Sequence, residues 1–107
     1  MIETQNIRWS LLAYDAYQKI GDDIHKRFGF KAKSDYEQEV DETVKSLAKF
    51  PDLGKQEFEL AEDGSVRSIP IRRLSKIIYF VEEDVLYIAD VWATRQDPDY
   101  LKGRFQK

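Results

Sequence analysis

Apolar residues recur every three or four positions through the first part of the chain, which is the spacing of an amphipathic helix. Ser10 precedes this stretch and is suited to cap the first helical turn with its hydroxyl. Gly29 follows it and is suited to end the helix, because glycine readily adopts the left-handed conformation. The inner stripe of this first predicted helix consists of Ala13, Tyr17, Ile20, Ile24 and Phe28.

A second helix is predicted to begin at S-D-Y-E, residues 34–37, which has the form of a capping box. Pro51 ends this helix, because the residue before a proline is driven out of helical geometry. The connection between the two helices is short, so they are expected to pack antiparallel as a hairpin. The inner face of the second helix is expected to consist of Tyr36, Val40, Val44 and Leu47.

The remaining apolar runs are short and rich in β-branched and aromatic residues, which is typical of strands. A first strand is expected at Q-N-I-R-W, residues 5–9, before the helices. The later strands are V-R-S-I-P-I at 66–71, K-I-I-Y-F-V at 76–81 and V-L-Y-I-A-D-V-W at 85–92. The last two are separated by E-E-D, which predicts a hairpin turn.

Together these elements predict an α+β fold in the order β-α-α-β-β-β, with the antiparallel helical hairpin packed on a twisted, mainly antiparallel sheet. The last strand is apolar on both faces, so it should be central in the sheet. Pro70 indicates an edge or a bulge in the strand that contains it. Y-L-K-G-R-F, residues 100–105, could add a short C-terminal helix.

Length and composition predict one domain, residues 1–107, of the globular type. The chain is 42% hydrophobic and contains no cysteine, which favours a cytoplasmic protein and leaves disulfides and thiolate metal sites out. The N-terminus lacks an apolar signal core, and no run approaches the roughly 18 apolar residues of a membrane span. We therefore expect neither secretion nor a membrane association.

The charge distribution bears on the kind of partner. A net charge of −3 and a pI near 5.2 argue against a surface devoted to nucleic acid, which needs clustered Lys and Arg. Residues 1–65 carry 9 Lys/Arg and 14 Asp/Glu, whereas residues 66–107 carry 8 and 6. The basic residues are therefore enriched in the half that contains the hairpin.

A cluster of cations is predicted at one end of that hairpin. If the turn centres on Glu83 and Asp84, continuing the count places Arg72 opposite Arg95 and Lys76 opposite Val91. Side chains alternate along a strand, so the three cations would share one face. Like charges facing each other are destabilising unless water or an anion separates them, which makes the cluster a candidate anion site.

The same residues also have purely structural interpretations. The three cations could be solvated, or paired with Asp90, Asp97 or Asp99. Tyr100 could stack on a base or assist proton transfer, or it could pack the C-terminal helix on the sheet. Lys102 and Arg104 would extend the positive surface.

Other chemistry has little support in the residues. His25 has no cysteine, histidine or carboxylate at ligand spacing, so no metal site is predicted. Neither a glycine-rich phosphate loop nor a nucleophile elbow is present, and no cofactor is expected. Trp9 and Trp92 are interpreted as core or sheet-edge aromatics.

Four strings in this order resemble the RelE/ParE superfamily of bacterial toxin-antitoxin toxins. They are W-S-L-L-A at 9–13, L-A-K-F-P-D-L-G-K at 47–55, V-R-S-I-P-I at 66–71 followed by I-I-Y-F-V, and V-W-A-T-R-Q-D-P at 91–98. The resemblance implies a small α+β toxin whose working surface is masked by a cognate antitoxin. It leaves open whether the toxin also forms a homodimer or only a toxin-antitoxin hetero-oligomer.

The resemblance implies two kinds of target. RelE-like toxins cut mRNA on the ribosome without a metal, whereas ParE-like toxins bind and inhibit DNA gyrase. By position, Arg95 matches an arginine found at the last strand in both branches, and Arg72 or Arg73 matches a phosphate-binding cation of the nucleases. Tyr100 lies about one residue short of a nuclease tyrosine. R-Q-D-P resembles the R-R-D-P ending of ParE-like and plasmid-stabilisation proteins, with Gln96 in place of the second arginine.

The expected function is therefore a ParE-like toxin that inhibits a protein target such as DNA gyrase and binds it through the basic residues. The candidate binding residues are Arg72, Arg73, Lys76, Arg95 and Arg104. The alternative is a RelE-like endoribonuclease in which Arg72, Arg95 and Tyr100 are catalytic. A further alternative is an inactive member that retains only antitoxin binding, so whether the protein is an enzyme stays open.

Overall fold

The computed structural model describes residues 6–94. Strand β1 (Ile7–Trp9) is followed by helices α1 (Leu11–Phe28) and α2 (Phe30–Lys49), and a 3-10 turn at Pro51–Leu53 leads into the remaining strands. These are β2 (Lys55–Gln56), β3 (Arg67–Ile71), β4 (Ser75–Glu82) and β5 (Val85–Ala93). The α+β class and the element order are confirmed, with β2 as a short strand that the sequence did not indicate. Neither helix in this part of the chain is long and apolar enough to cross a membrane.

The sheet has the strand order β1-β5-β4-β3-β2, in which only the β1–β5 pair is parallel. Strand β5 has a neighbour on each side, as its apolar character predicted. Pro70 lies beyond the two residues of β3 that pair with β2, where the missing N–H of proline costs no ladder hydrogen bond. The core lies between one face of this sheet and the two helices.

Helix α1 begins and ends where the sequence predicts. The Ser10 hydroxyl accepts a hydrogen bond from the Ala13 N–H at 2.9 Å, and Gly29 follows Phe28 with φ of 97°. Of the predicted stripe, Ala13 and Ile24 are buried. Phe28 was expected on this inner face, but it is 60% exposed because it lies at the outer end of the hairpin.

Helix α2 begins four residues earlier than predicted. It starts at Phe30 immediately after Gly29, so Ser34 lies inside the helix and does not form a capping box. The predicted inner residues Tyr36, Val40, Val44 and Leu47 are all buried, and the helix ends just before Phe50 and Pro51. The Tyr17 and Tyr36 rings stack at 6.0 Å, and Lys33 pairs with Asp22, so the two helices are antiparallel as expected.

A β-bulge joins the sheet to the start of α1. The pairing of β4 with β5 shifts by one residue between Ile78 and Tyr79, which leaves Ala89 without a partner in the ladder. The Ala89 carbonyl accepts a hydrogen bond from the Ser10 hydroxyl at 2.8 Å, while the Ile88 carbonyl accepts one from the Ser10 N–H at 3.0 Å. Ser10 thus caps α1 and also forms hydrogen bonds with two carbonyls at the bulge.

The Tyr36 phenol provides a buried polar link between α2 and the sheet. Its oxygen lies 2.9 Å from the Ser75 hydroxyl, and both side chains are buried. Burial raises the pKa of Tyr36 to about 12, although the hydrogen bond with Ser75 acts in the opposite direction. The neutral phenol is therefore strongly favoured in the folded protein.

We expect stability to fall between pH 10 and pH 12 because of this group. The unfolded chain releases the tyrosine proton near pH 10, whereas folded Tyr36 keeps it to about pH 12. The unfolded state then binds fewer protons, so the free energy of unfolding decreases by at most about 1.4 kcal/mol per pH unit from this residue. Urea unfolding of Tyr36→Phe should show a shallower decline over this range, and equal slopes in both proteins would contradict the assignment.

Candidate functional site

The β3–β4 connection places the predicted cations differently from the expected hairpin. Residues 72–74 form a tight turn, in which the Leu74 N–H donates to the Ile71 carbonyl at 3.0 Å. Arg72 has φ of 52°, a left-handed conformation that no strand residue adopts. The prediction that Arg72 continues the strand containing Lys76 is therefore wrong.

Arg72 is engaged on the helical side of the molecule. Its Nε donates to a carboxylate oxygen of Glu39, which belongs to α2. The guanidinium is about half exposed, so the pair lies at the surface and ties the turn to the helix. The charge of Arg72 is balanced within the chain.

Lys76 points to the opposite, open face of the sheet. Because facing residues of antiparallel strands share a face, Lys76 lies with Trp92 of β5 and Pro70 of β3. Its Nζ is 3.4 Å from Glu57 Oε2 and 5.5 Å from the centre of the Trp92 ring. The predicted pairing of Lys76 with Val91 is wrong because the bulge at Ala89 shifts the ladder by one residue.

Glu57 lies at the centre of a group of side chains on the open face that also contains Lys76, Ser68 and Trp92, which we call the open-face cluster. Its Oε2 accepts hydrogen bonds from the Ser68 hydroxyl and from Lys76. Burial by itself would raise the pKa of Glu57, but the Ser68 hydrogen bond and the positive charge of Lys76 outweigh it and lower the pKa below its ordinary value. Glu57 is thus held ionised as the partner of Lys76.

The cluster extends to the last strand through Trp92. The indole Nε1 donates to Asp90 Oδ2 at 2.9 Å, and Asp90 Oδ1 accepts from the Val91 N–H at 2.8 Å. Asp90 is buried, which fits an acid with donors on both oxygens. The sequence analysis did not identify Glu57 and Ser68. The signal available in the sequence was Asp90, an acid inside the apolar run of β5, which indicates that polar side chains lie on this face of the sheet.

Arg73 lies at the outside of the turn, beside the end of β5. Its backbone carbonyl accepts a hydrogen bond from the Thr94 hydroxyl at 2.9 Å, and the Leu74 carbonyl accepts one from the Thr94 N–H at 3.1 Å. The Arg73 side chain is exposed and has no ion-pair partner within residues 6–94. The turn and the last described residue therefore form one surface.

The structure does not assemble the three predicted cations on one face. Arg72 and Lys76 lie on opposite sides of the sheet, each bonded to a carboxylate. Arg95, Tyr100 and Arg104, together with the predicted C-terminal helix, lie outside the described residues. Between residues 6 and 94, no group of three or more His, Asp or Glu is arranged to hold a metal ion.

Comparison with known proteins gives a matching family and solved structures of similar fold. The family described as the ParE toxin of the type II toxin-antitoxin system parDE matches residues 7–98. A solved structure titled "Chromosomal ParDE TA system from P. aeruginosa" is 19% identical, with a TM-score of 0.68 over 87% of this chain and 96% of that chain. At this identity the likeness is one of fold. No curated protein matches the chain.

Proposed function

Because the chain belongs to the ParE toxin family of type II toxin-antitoxin systems, we propose that it arrests growth by binding and inhibiting a protein target, DNA gyrase. A cognate antitoxin is its second partner and neutralises it by covering the same surface. A gyrase inhibitor of this kind acts in the cytoplasm. Binding accounts for the inhibition, and no catalytic step is required.

The observation that carries the proposal is the internal pairing of Arg72 and Lys76. Metal-free cleavage of a phosphodiester depends on donors already aimed at the position where charge develops. Arg72 is held by Glu39 on one side of the sheet and Lys76 by Glu57 on the other. A scissile phosphate would have to displace both carboxylates and could not meet both cations at once. Binding to a protein target does not require both cations to contact the same group.

The proposed target-binding surface is the β3–β4 turn with the segment that follows β5. Arg73 supplies an exposed guanidinium there, and Thr94 holds the end of β5 against the turn. Arg95 is the next residue in the sequence, and we assign it to this surface together with Arg104. Arginine suits such a role because its planar donors form directed hydrogen bonds and its charge does not depend on pH.

We expect the purified protein to inhibit supercoiling of relaxed plasmid by DNA gyrase in a dose-dependent manner. Arg73→Ala should weaken this inhibition, because it removes an exposed donor from the proposed surface. Arg8→Ala, which removes an exposed arginine from β1, should inhibit like the wild type. The measurement is the fraction of plasmid converted to the supercoiled form at each toxin concentration.

Mapping of transcript 5′ ends after induction separates this proposal from the nuclease. Inhibited gyrase with unchanged transcript ends supports the binding toxin. New cuts in phase with the reading frame, together with unaffected gyrase, would replace it by the RelE-like endoribonuclease. A chain that neither arrests growth nor cuts RNA would be the inactive member of the family.

A further inference from the structure

The outer end of the helical hairpin, His25–Lys33, projects from the molecule as a knob, which we call the hairpin tip. Gly29 alone connects the helices, with φ of 97°, and a Cβ added to it would meet no atom within 4 Å. Phe28 and Phe30 flank it and are 60% and 71% exposed. Two large apolar side chains are therefore mostly exposed at the end of the hairpin.

The hairpin tip is also a basic segment of an acidic protein. It contains 4 of the 17 Lys/Arg of the chain and none of the 20 Asp/Glu. Three aspartates lie behind it on the helices and pair with its cations: Asp23 with Arg27 at 3.0 Å, Asp35 with Lys31 at 3.0 Å and Asp22 with Lys33 at 3.4 Å. The surface has an apolar centre and a rim of mixed charge.

That arrangement fits a protein partner better than a polyanion. Protein interfaces characteristically combine an apolar, aromatic-rich centre with a polar rim. A nucleic-acid backbone or an anionic membrane presents continuous negative charge, which would meet the three aspartates and find their cations engaged. A protein pocket lined by apolar side chains, with a few carboxylates on its rim, matches both the phenylalanines and the one net positive charge that the three ion pairs leave.

We infer that the hairpin tip inserts into an apolar, carboxylate-rimmed pocket on the folded protein target. The convex shape selects a partner with a concave site, which a folded protein provides and an extended antitoxin segment does not. The inference rests on the proposed function and adds a second contact to it. Glu39 binds Arg72 of the β3–β4 turn. Phe30 lies nine residues before Glu39, a separation of about 14 Å along α2.

The Phe30 ring is partly ordered before any partner arrives. It meets the His25 ring edge to face at 6.3 Å between centroids. A side chain whose rotamer is already restricted loses less entropy on binding, which is a property of interface residues with large energetic effects. Phe30 is therefore the residue whose removal should matter most.

The test compares Phe30→Ser with Phe50→Ser. Phe50 is a suitable control because it is also exposed, at 63%, and adjoins the other end of α2, about 30 Å away. Growth arrest is measured against toxin level under a titratable promoter, with thermal unfolding of each purified variant. Phe30→Ser should need about tenfold more toxin for the same arrest, because a hot-spot aromatic contributes more than 1.4 kcal/mol to binding. Phe50→Ser should behave like the wild type.

A second matched pair of variants tests how much the charge of the hairpin tip contributes to binding. Lys26→Glu reverses a charge of the hairpin tip, and Lys49→Glu reverses one in the corresponding last turn of α2, so both carry the same helix-dipole penalty. Neither lysine has an ion-pair partner within residues 6–94. Lys26→Glu should weaken growth arrest and Lys49→Glu should not, with a difference that shrinks at high ionic strength in a gyrase binding measurement.

The outcomes are separable. Unchanged growth arrest by Phe30→Ser and Lys26→Glu would overturn the inference, and so would variants that stay toxic but escape the antitoxin, because the tip would then be an antitoxin contact. Growth arrest by the wild type without gyrase inhibition would overturn the gyrase proposal alone, and the loss of arrest in Phe30→Ser would still place the tip on the true target.

Discussion

Replacement of Arg95 by alanine is expected to abolish growth arrest while leaving the free energy of unfolding within about 0.5 kcal/mol of the wild type. Truncating an interface arginine of the hot-spot class costs about 2 kcal/mol or more, a factor of about 30 in affinity. The residue follows Thr94, which is hydrogen-bonded to the carbonyls of Arg73 and Leu74. The end of β5 is thus held beside Arg73, an exposed arginine. A guanidinium presented to a partner is not part of the core, so its loss should spare the fold.

The measurement is growth after induction, with urea unfolding of the purified variant. Arg8→Ala is the control, because it removes an exposed arginine from β1, an edge strand that pairs with the first half of β5 and not with its end. Arg95→Ala that remains fully toxic would show that the arginine-centred surface is wrong for both the binding toxin and the nuclease. An unfolded variant would instead assign Arg95 a structural role.

The helices illustrate which features could be predicted from the sequence. Helical periodicity located the buried residues of α2 correctly, because the alternation of apolar and polar positions reflects the core directly. The start of α2 was predicted wrongly because S-D-Y-E matches a capping box only in its local pattern. The helix begins instead at Phe30, since Gly29, with its positive φ, is the point at which the helical backbone is interrupted.

The hairpin shows why the basic cluster could not be predicted. The turn at Glu83 and Asp84 is correct, with positive φ at both residues, and the pairing is as predicted as far as Tyr79 and Ile88. In the bulge that follows, the Ala89 carbonyl accepts a hydrogen bond from Ser10, which is 79 residues away in the sequence. No local pattern reports such a contact. A shift of one residue then changes the neighbours of every side chain beyond it.

The charge pairs depend on contacts of the same long-range kind. Arg72 meets Glu39 across 33 residues, and Lys76 meets Glu57 across 19. The sequence could indicate that these cations need partners, but it could not tell a partner within the chain from an anion outside it. The internal pairs argue against a phosphate site at Arg72 and Lys76, which belonged to the nuclease alternative.

Close packing requires a glycine at position 54, in the string L-A-K-F-P-D-L-G-K. A Cβ at this position would lie 2.4 Å from the Tyr79 hydroxyl and 2.7 Å from the backbone oxygen of Ser68. The Tyr79 hydroxyl donates to the Pro51 carbonyl at 2.6 Å and accepts from the Gly54 N–H at 2.8 Å. Its aromatic ring is fully buried. The close approach thus fixes the turn after α2 to the centre of the sheet.

Gly54→Ala is therefore expected to destabilise the protein by about 3 kcal/mol. Overpacking costs about 1–3 kcal/mol, and displacing the Tyr79 hydroxyl leaves buried polar groups unsatisfied, at about 1–3 kcal/mol each. Gly21→Ala is the matched control, because its Cβ would lie 3.5 Å from the flexible Lys33 side chain. In the middle of α1 that change should stabilise the protein by about 0.5–1 kcal/mol. Urea unfolding of both variants tests the contrast, and a Gly54→Ala protein as stable as the wild type would mean that Tyr79 does not anchor the turn.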